Sequence, residues 1–514
     1  MKLARNLKIP PALKAIGDFL TESRVESYLV GGALRDMVIG RKTTDLDIAV
    51  KGQALVIARK AAETLNGKYV ALDEANDVAR VLLPGKPQWQ IDLSGFDSSI
   101  EVDLARRDFT VCAMATHLGQ TGFILSPIID PHCGLEDLNR GIIRAVSDGA
   151  FRTDPLRLLR AIRLSGELGF TIEQHTEDLI QRDSHLISQV AGERLREELL
   201  KILAIPANGQ RWSYLDHLGL VTQLFPELES ARGISQPKEH HWDVLHHSLM
   251  TAAAAGFLLR QGEWEYISPD VLGIVPWSAQ LAAHFDAEVS FGSTRATLLK
   301  LAALLHDISK PATKIITESG RTRFLGHADL GATVAGDILS RLRFSTKEIK
   351  LVEAMVKHHL RPTQMSHSGL PSSRAVYRYF RDIAEASLDT LYLSLADHLA
   401  ARGPDLIHDE WRRHNETVDY VIRQHFEASA PARPARLLSG HDIISTFSLS
   451  PGPRIGEILE AVREATATGE LDSKSAALEY AGALLMTSRN HRYRQKDSGK
   501  NRIKVISQQS RGDQ

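Results

Sequence analysis

The sequence predicts an α+β protein, with a small mixed sheet confined to an N-terminal head and nearly everything after it helical. Two observations predict this. Over the first ~125 of 514 residues, short β-rich runs (YLVGG, DLDIAV, ARVLL, WQIDLSGF) alternate with helical patterns such as QALVIARKAAETL. Beyond about Pro131 the strand signals almost vanish. There LRLLRAIRLSGELGF, GERLREELLKILA, TLLKLAALLHDI, GATVAGDILSRL and SLDTLYLSLADHLA carry apolar residues at helical spacing. Turn punctuation near Ile205-Pro206, around Ile234–Pro237 and across Ala428–Pro434 marks boundaries. The expected division is a head over 1–126, a neck over 127–232, a third domain over 233–405, a helical body over 406–488 and a basic tail over 489–514.

A hydrophobic content of 43% and a charged content of 24% place the chain among ordinary soluble globular proteins. Its two cysteines, Cys112 and Cys133, form no CxxC pair, which argues against a disulfide framework or a zinc knuckle. They fit a reducing, cytoplasmic compartment. The opening MKLARNLKIPPALKAIGDFL has charges and no unbroken apolar run, so a surface helix is expected rather than a signal peptide, and no membrane partner. Net charge is −1, yet residues 489–514 hold eight Lys/Arg against Asp497 and Asp513, a net of +6, leaving −7 for the rest. Any nucleic-acid surface in the folded part must therefore be a local patch. The tail either adds loose phosphate attraction or is a solvated terminus.

The first chemical constellation is YLVGGALRDMVIGRKTTDLDIAV, Tyr28–Val50. An apolar strand runs into Gly31-Gly32, a helix bearing Arg35-Asp36 follows, and a second strand carries Asp45 and Asp47. Glycines let backbone N–H groups approach a triphosphate, and a helix N-terminus favours negative charge. Residues two apart on a strand face one side, so Asp45 and Asp47 would share Mg²⁺ ions ~3.5–4 Å apart. A lone DxD is often a solvated strand end and a lone GG only a turn, but their combination is far more specific. Neither GxGxxG nor GxxxxGK[ST] occurs in this segment, so dinucleotide-binding and P-loop readings lack their signature.

GGALRD followed by DLD resembles the head motif of class II tRNA nucleotidyltransferases, the CCA-adding enzymes and their bacterial poly(A) polymerase relatives. More motifs of that family follow in order: DLARRDFTVCAMA (Asp103–Ala115), DPHCGLEDLNRGIIRAV (Asp130–Val146), DPLRLLRAIRLSGELGF (Asp154–Phe170) and GERLREELLKIL (Gly192–Leu203). The likeness spans about residues 28–203. It implies a polymerase-β-like head, a two-metal transfer from CTP and ATP to tRNA 3′ ends, and nucleotide contacts from Gly31, Gly32, Arg35, Arg107 and Asp108. It further implies that Asp154 and Arg157 read the incoming base while Arg160 and Arg163 grip the triphosphate. Asp154, Arg157, Arg160 and Arg163 recur every three residues and are expected on one face of one helix. Three departures stand out. Thr153 occupies the place of a usual Glu that helps orient the arginine, and Cys112 that of a usual Asn. The stretch Ile91–Asp103 is shorter than the loop that lets CCA-adding members switch from C to A, which looks like the CC-adding subgroup. Asp92 reads as a structural strand aspartate rather than a third metal ligand.

A second constellation comprises HHWDVLHHSLM, LLHDISKP, LGHADLG, VKHHLRP and LADHLA. Adjacent His306-Asp307 suits a metal site completed by distant ligands. The order of His247, His306-Asp307, His327, His358 or His359, and Asp397 resembles the HD phosphohydrolase superfamily. The resemblance implies His247, His306, Asp307 and Asp397 as core ligands of a divalent transition metal. It leaves His327, His358, His359 and Lys310 for a second metal or a substrate phosphate. A metal there would deliver hydroxide to phosphorus. A loop insertion is expected around Gly262–Gly292. The helical region after Asp397 is the natural place to grip tRNA shape. CC or CCA addition is the leading expectation, poly(A) addition its sibling, and a hydrolase with a binding-only head the alternative.

Overall fold

The computed structural model describes residues 9–86, 88–118, 127–206, 209–237, 239–365, 369–428 and 437–486. The expected 126/127 boundary, most of the Ala428–Pro434 linker and the basic tail lie outside them. The first helix, α1 (Pro11–Glu22), is no freely solvated surface helix. Leu13, Ile16 and Leu20 sit on one face and are buried in the core.

The head is a six-stranded mixed sheet of order β3-β4-β5-β2-β1-β6. Its strands are β1 (Ser27–Val30), β2 (Asp45–Lys51), β3 (Lys68–Asp73), β4 (Val78–Leu83), β5 (Trp89–Phe96) and β6 (Ala115–His117). β2 and β5 pair in parallel through a crossover that contains α3 and the β3–β4 hairpin, and the other pairings are antiparallel. Helices α2 (Gly31–Val38) and α3 (Ala54–Thr64) cover the sheet with Ala33, Leu34, Ala58 and Ala61. After the sheet, α4 (Ile100–Ala105) follows β5 with only Asp97–Ser99 between them.

The neck holds α5 (Gly134–Arg140), α6 (Ala150–Thr153), α7 (Arg157–Leu168), α8 (Gln174–Asp183), α9 (Gly192–Ala204), α10 (Gly209–His217) and α11 (Leu220–Leu224). The third region centres on α12 (Val244–Leu258), α14 (Arg295–Leu305) and α20 (Ser387–Arg402). Every residue of α12 except His246 is buried, and the run Ala252–Ala255 has no bulk to hold its neighbours away. Around these lie α13 (Ala279–Asp286), α15 (Lys310–Thr313), α16 (His327–Arg341), α17 (Thr346–His358), α18 (Arg361–Met365), α19 (Ser373–Ile383) and α21 (His408–Ala428). The expected loop at 262–292 is instead partly structured. It contains a 3-10 turn (Pro269–Ile274), α13, and the first strand of a Glu288–Ser290/Ser293–Thr294 hairpin, because Val271, Leu281 and Phe285 are buried there. Two further two-stranded pairings interrupt the helices, Ile142–Ile143 with Thr171–Ile172 and Lys314–Ile316 with Thr322–Phe324.

One apolar core runs from Ala12 to Ile422, and a separate one, from Leu438 to Ala481, is built by α22 (Gly440–Phe447), α23 (Pro453–Ala467) and a helix over 474–486. No helix among the described residues is long and apolar enough to cross a membrane.

Candidate active sites

Gly31 and Gly32 form no separate turn. They open α2 directly after β1, and Gly31 takes φ +68° as the chain bends from strand to helix. A Cβ at Gly31 would come within 3.0 Å of both Asp47 Oδ2 and Arg107 Nη1. The missing side chain thus brings the strand-to-helix bend against a carboxylate and a guanidinium. Ala33 N–H donates to Asp47 Oδ2 at 3.3 Å. Leu46 is buried between Asp45 and Asp47, which the strand alternation places together on the opposite face. Burial raises the pKa of both carboxyls, opposed at Asp45 by Arg80 and at Asp47 by Arg107. Asp92 lies beside Asp47 on the neighbouring strand, and Arg80 grips it through two hydrogen bonds of 2.7 and 2.8 Å. Arg35 is buried near Gly32, donating to Asp36 at 2.9 Å and to Cys112 Sγ at 3.2 Å.

Asp103 on α4 holds Arg107 by hydrogen bonds of 2.9 and 3.1 Å, aiming that guanidinium at Gly31. Asp108 is buried and accepts from Arg160 of α7 at 2.8 Å. Burial resists ionisation there, but Arg160 outweighs it and holds the carboxyl below its ordinary pKa. Head and neck therefore meet through an ion pair near Asp47.

One expectation needs correction. Asp154 is not on the helix that bears the arginines. It caps α6 in extended conformation, φ −146° and ψ 100°, because Pro155 follows it and disfavours helical geometry in the preceding residue. α7 starts at Arg157, whose guanidinium donates to the carbonyls of Arg106 (2.8 Å), Ala150 (3.2 Å) and Arg107 (3.4 Å). Thr153 hydroxyl turns back to Gly149 O, so main-chain carbonyls orient this arginine. Arg163 does not join Arg160. It is engaged by Glu198 of α9 and Glu167.

The histidine constellation converges. His247 comes from α12, His306-Asp307 from the end of α14, His327 from the start of α16, His359 from just past α17 and Asp397 from α20. His247 Nε2 lies 3.3 Å from His306 Nε2 and 3.1 Å from Asp397 Oδ1. Asp307 Oδ2 lies 3.2 Å from His306 Nε2, while its Oδ1 faces His327 Nε2 at 3.4 Å and His359 Nε2 at 3.8 Å. The Nδ1 atoms of His306, His327 and His359 each bond to a carbonyl three residues earlier, those of Ala303, Phe324 and Val356. Those bonds occupy the Nδ1 atoms and turn the Nε2 atoms inward. Asp307 Oδ1 is buried with no hydrogen-bond donor of its own. Burial opposes its charge, yet His306 and Lys310 hold its pKa well below the usual carboxylate range. An ionised carboxylate with imidazole Nε2 atoms converging on it is a donor set fitted to divalent cations. Lys310 Nζ lies 2.6 Å from Asp307 Oδ2 and donates to Gln236. His358 is the second correction. It is half-buried on α17, outside the cluster, since consecutive helical residues point about 100° apart.

Three family models match along the chain: the poly A polymerase head domain over 27–144, a probable RNA and SrmB-binding site of polymerase A over 169–232, and the HD domain over 244–402. An A-adding tRNA nucleotidyltransferase of Deinococcus radiodurans is 33% identical over 455 residues, 87% of this chain and 93% of that protein. The chain belongs to the tRNA nucleotidyltransferase family. A CC-adding tRNA nucleotidyltransferase of Thermus thermophilus is 31% identical over 90% of this chain and 94% of its own. The Thermotoga maritima CCA-adding enzyme, solved with tRNA, shares the fold at TM-score 0.60, with 22% identity and coverage of 94% and 100%. Family members of both kinds thus align with head, neck and HD region together.

For a tRNA nucleotidyltransferase, several positioning groups escaped the sequence reading. Asp103, Gln236 and Arg194, which grips Asp154, belong here. Asp103 lies four residues before Arg107, a spacing that could have suggested the pair. Nothing local relates Arg194 to Asp154 or Gln236 to Lys310, because each pair joins separate segments.

Proposed function

We propose that this chain transfers nucleotides from CTP or ATP to the 3′ end of tRNA, and that its HD domain hydrolyses phosphate esters on RNA ends or nucleotides. One observation carries the first part: Asp47, two residues from Asp45 on one strand face, sits against the Gly31–Ala33 bend with Arg107 alongside. Asp45 and Asp47 would hold Mg²⁺, which when bound supplies activation of the 3′-hydroxyl and neutralisation of the departing pyrophosphate. Gly31 and Gly32 let main-chain N–H groups approach the triphosphate. Arg107 adds positive charge, as does Arg160, which Asp108 fixes in direction. Asp154 accepts from the exocyclic amine of C or A while Arg157 donates to the ring nitrogen. G and U present the opposite pattern at those atoms, so a protein surface replaces a template. The three residues between β5 and α4 leave no long loop to reset the site. That supports addition of one kind of base, two C residues or the terminal A. Family kinship and the soluble composition support a tRNA partner and a cytoplasmic location.

In the HD region, His247, His306, Asp307 and Asp397 would hold one divalent transition metal. His327 and His359 face the other Asp307 oxygen and would hold a second ion or a substrate phosphate. The metal, when bound, supplies water activation and polarisation of a phosphoryl oxygen. Lys310 places a cation beside it.

The test incubates the protein with Mg²⁺, single nucleotides and two tRNAs, one ending at the discriminator base and one ending in CC. Two C additions to the first, or one A to the second, is expected. Asp45→Ala abolishes incorporation and spares hydrolysis of a 2′,3′-cyclic phosphate, and Asp307→Ala does the reverse. Loss of both activities in either folded variant would refute the two-site reading.

A further inference from the structure

Asp154 belongs to a short extended connection, and the groups around it decide which of its oxygens faces a base. Oδ1 accepts from Leu156 N–H at 3.2 Å and from Arg194 Nη2 at 3.2 Å. Oδ2 accepts from Arg194 Nη2 alone, at 2.9 Å. A carboxylate oxygen accommodates about two hydrogen bonds. Oδ1 is therefore filled, and Oδ2 retains one lone pair. Cytosine and adenine each offer one amine hydrogen on the pairing edge, and one open acceptor matches one donor.

We infer that Arg194 on α9 is a specificity-determining positioning residue, which fixes the Asp154 carboxylate so that Oδ2 alone reads the exocyclic amine of the incoming base. The inference rests on the nucleotidyltransferase reading above. It assigns a task to a residue 40 positions away in sequence and on another helix. The local alternative is absent, since Thr153 beside Asp154 directs its hydroxyl to Gly149 O. Arg157 is held separately, by the carbonyls of Arg106, Arg107 and Ala150. The two halves of the base reader are thus set by independent anchors. Asp154 depends on α9, and Arg157 depends on the head and α6.

The pair contributes little to folding. The Arg194 side chain is 52% exposed and that of Asp154 30% exposed, and ion pairs so open to water add little stability. Its worth is directional. Without the guanidinium, the carboxylate rotates about χ2, a broad torsion for aspartate, and either oxygen presents itself. Correct nucleotides then lose a preset partner, and keto bases lose a fixed repulsive one.

The experiment measures single-nucleotide incorporation of CTP, ATP, UTP and GTP on both tRNA substrates for the unmodified protein, Arg194→Ala, Arg194→Gln and Arg194→Lys. Thermal melting reports folding in each. In Arg194→Ala and Arg194→Gln we expect KM for the correct nucleotide to rise about tenfold with kcat within about twofold. Discrimination against UTP in kcat/KM falls about tenfold, and Arg194→Lys restores part of it. An equal fall for all four nucleotides, or no change, overturns the inference. If the unmodified protein incorporates nothing, the nucleotidyltransferase reading falls first and the inference with it.

Discussion

Lys300 sits on α14 with 1% of its surface exposed, donating to Leu203 O at the end of α9 at 2.8 Å. Burial, reinforced by the Arg211 charge, lowers its pKa to about 8 from 10.5. Below about pH 8 both folded and unfolded states carry the proton, so the folded state bears the whole desolvation cost, about 3 kcal/mol. Between about 8 and 10.5 the unfolded chain binds more protons than the folded one, and stability rises with pH. Lys300→Met should therefore stabilise the protein by roughly 1–2 kcal/mol at pH 7, after loss of the Leu203 hydrogen bond. The gain should disappear by pH 10.5, and denaturant melts at pH 7 and 10 would register it. A variant less stable at both pH values would contradict this account. Asp307 offers the complementary case, a buried carboxylate held ionised by neighbouring cations. A divalent transition metal at about a hundredfold over its Kd should add about 2.7 kcal/mol, read as a rise in Tm. Asp307→Ala should lose that rise, and Asp45→Ala should keep it.

At the scale of elements, α19 and α23 meet through charge. Arg374, Arg378 and Arg381 recur along one face of α19, opposite Glu460 and Glu464 of α23 and Glu470 beyond it. Arg378 grips Glu464 through two hydrogen bonds of 2.8 and 3.0 Å. The apolar residues of α23 pack into their own core, which is separate from the main one. Arg374 and Arg378 stand 40% and 52% exposed against a buried Glu464, so salt screens their side of each pair. Raising salt from about 0.1 M to about 1 M, which shortens the screening length from ~10 to ~3 Å, should loosen the C-terminal unit. Glu464→Gln should do the same at low salt. Small-angle scattering would report a larger radius of gyration, and an unchanged radius in both cases would refute the prediction. Nucleotide incorporation by the head should survive on short RNA primers.

Over the whole molecule, the two sites are built by different physics and should fail separately. The head site is formed by the first residues of the interior strand β2 against a glycine bend, with the Asp45 carboxylate open to solvent. The histidine cluster is largely buried, and its side chains arrive from α12, α14, α16, α17 and α20. Metal chelation should accordingly inactivate the head rapidly and reversibly, while release from the largely buried cluster is slower. Timed dialysis against a chelator, with both activities followed, would show two separate losses. A single common rate would mean that the sites are coupled. A connection for such coupling exists, since α14 carries His306 at its end and Lys300 against α9, the helix that holds Arg194.

Local pattern by itself determined the α+β division, the two aspartates on one strand face and most of the histidines that come together in the third region. Those features repeat with the periods of strand and helix or lie in short motifs, so neighbouring residues carry the information. Tertiary structure decided the rest. It chose His359 over His358, because only the fold sets which helix face meets Asp307. It took Asp154 off the arginine helix, where Pro155 overrides a three-residue spacing that looked continuous. It turned Arg163 to Glu198 and assigned Arg194 to Asp154, contacts between segments 35 and 40 residues apart. Periodicity predicts which side of an element a residue occupies; the partner on that side is set by packing between elements, which no single segment encodes.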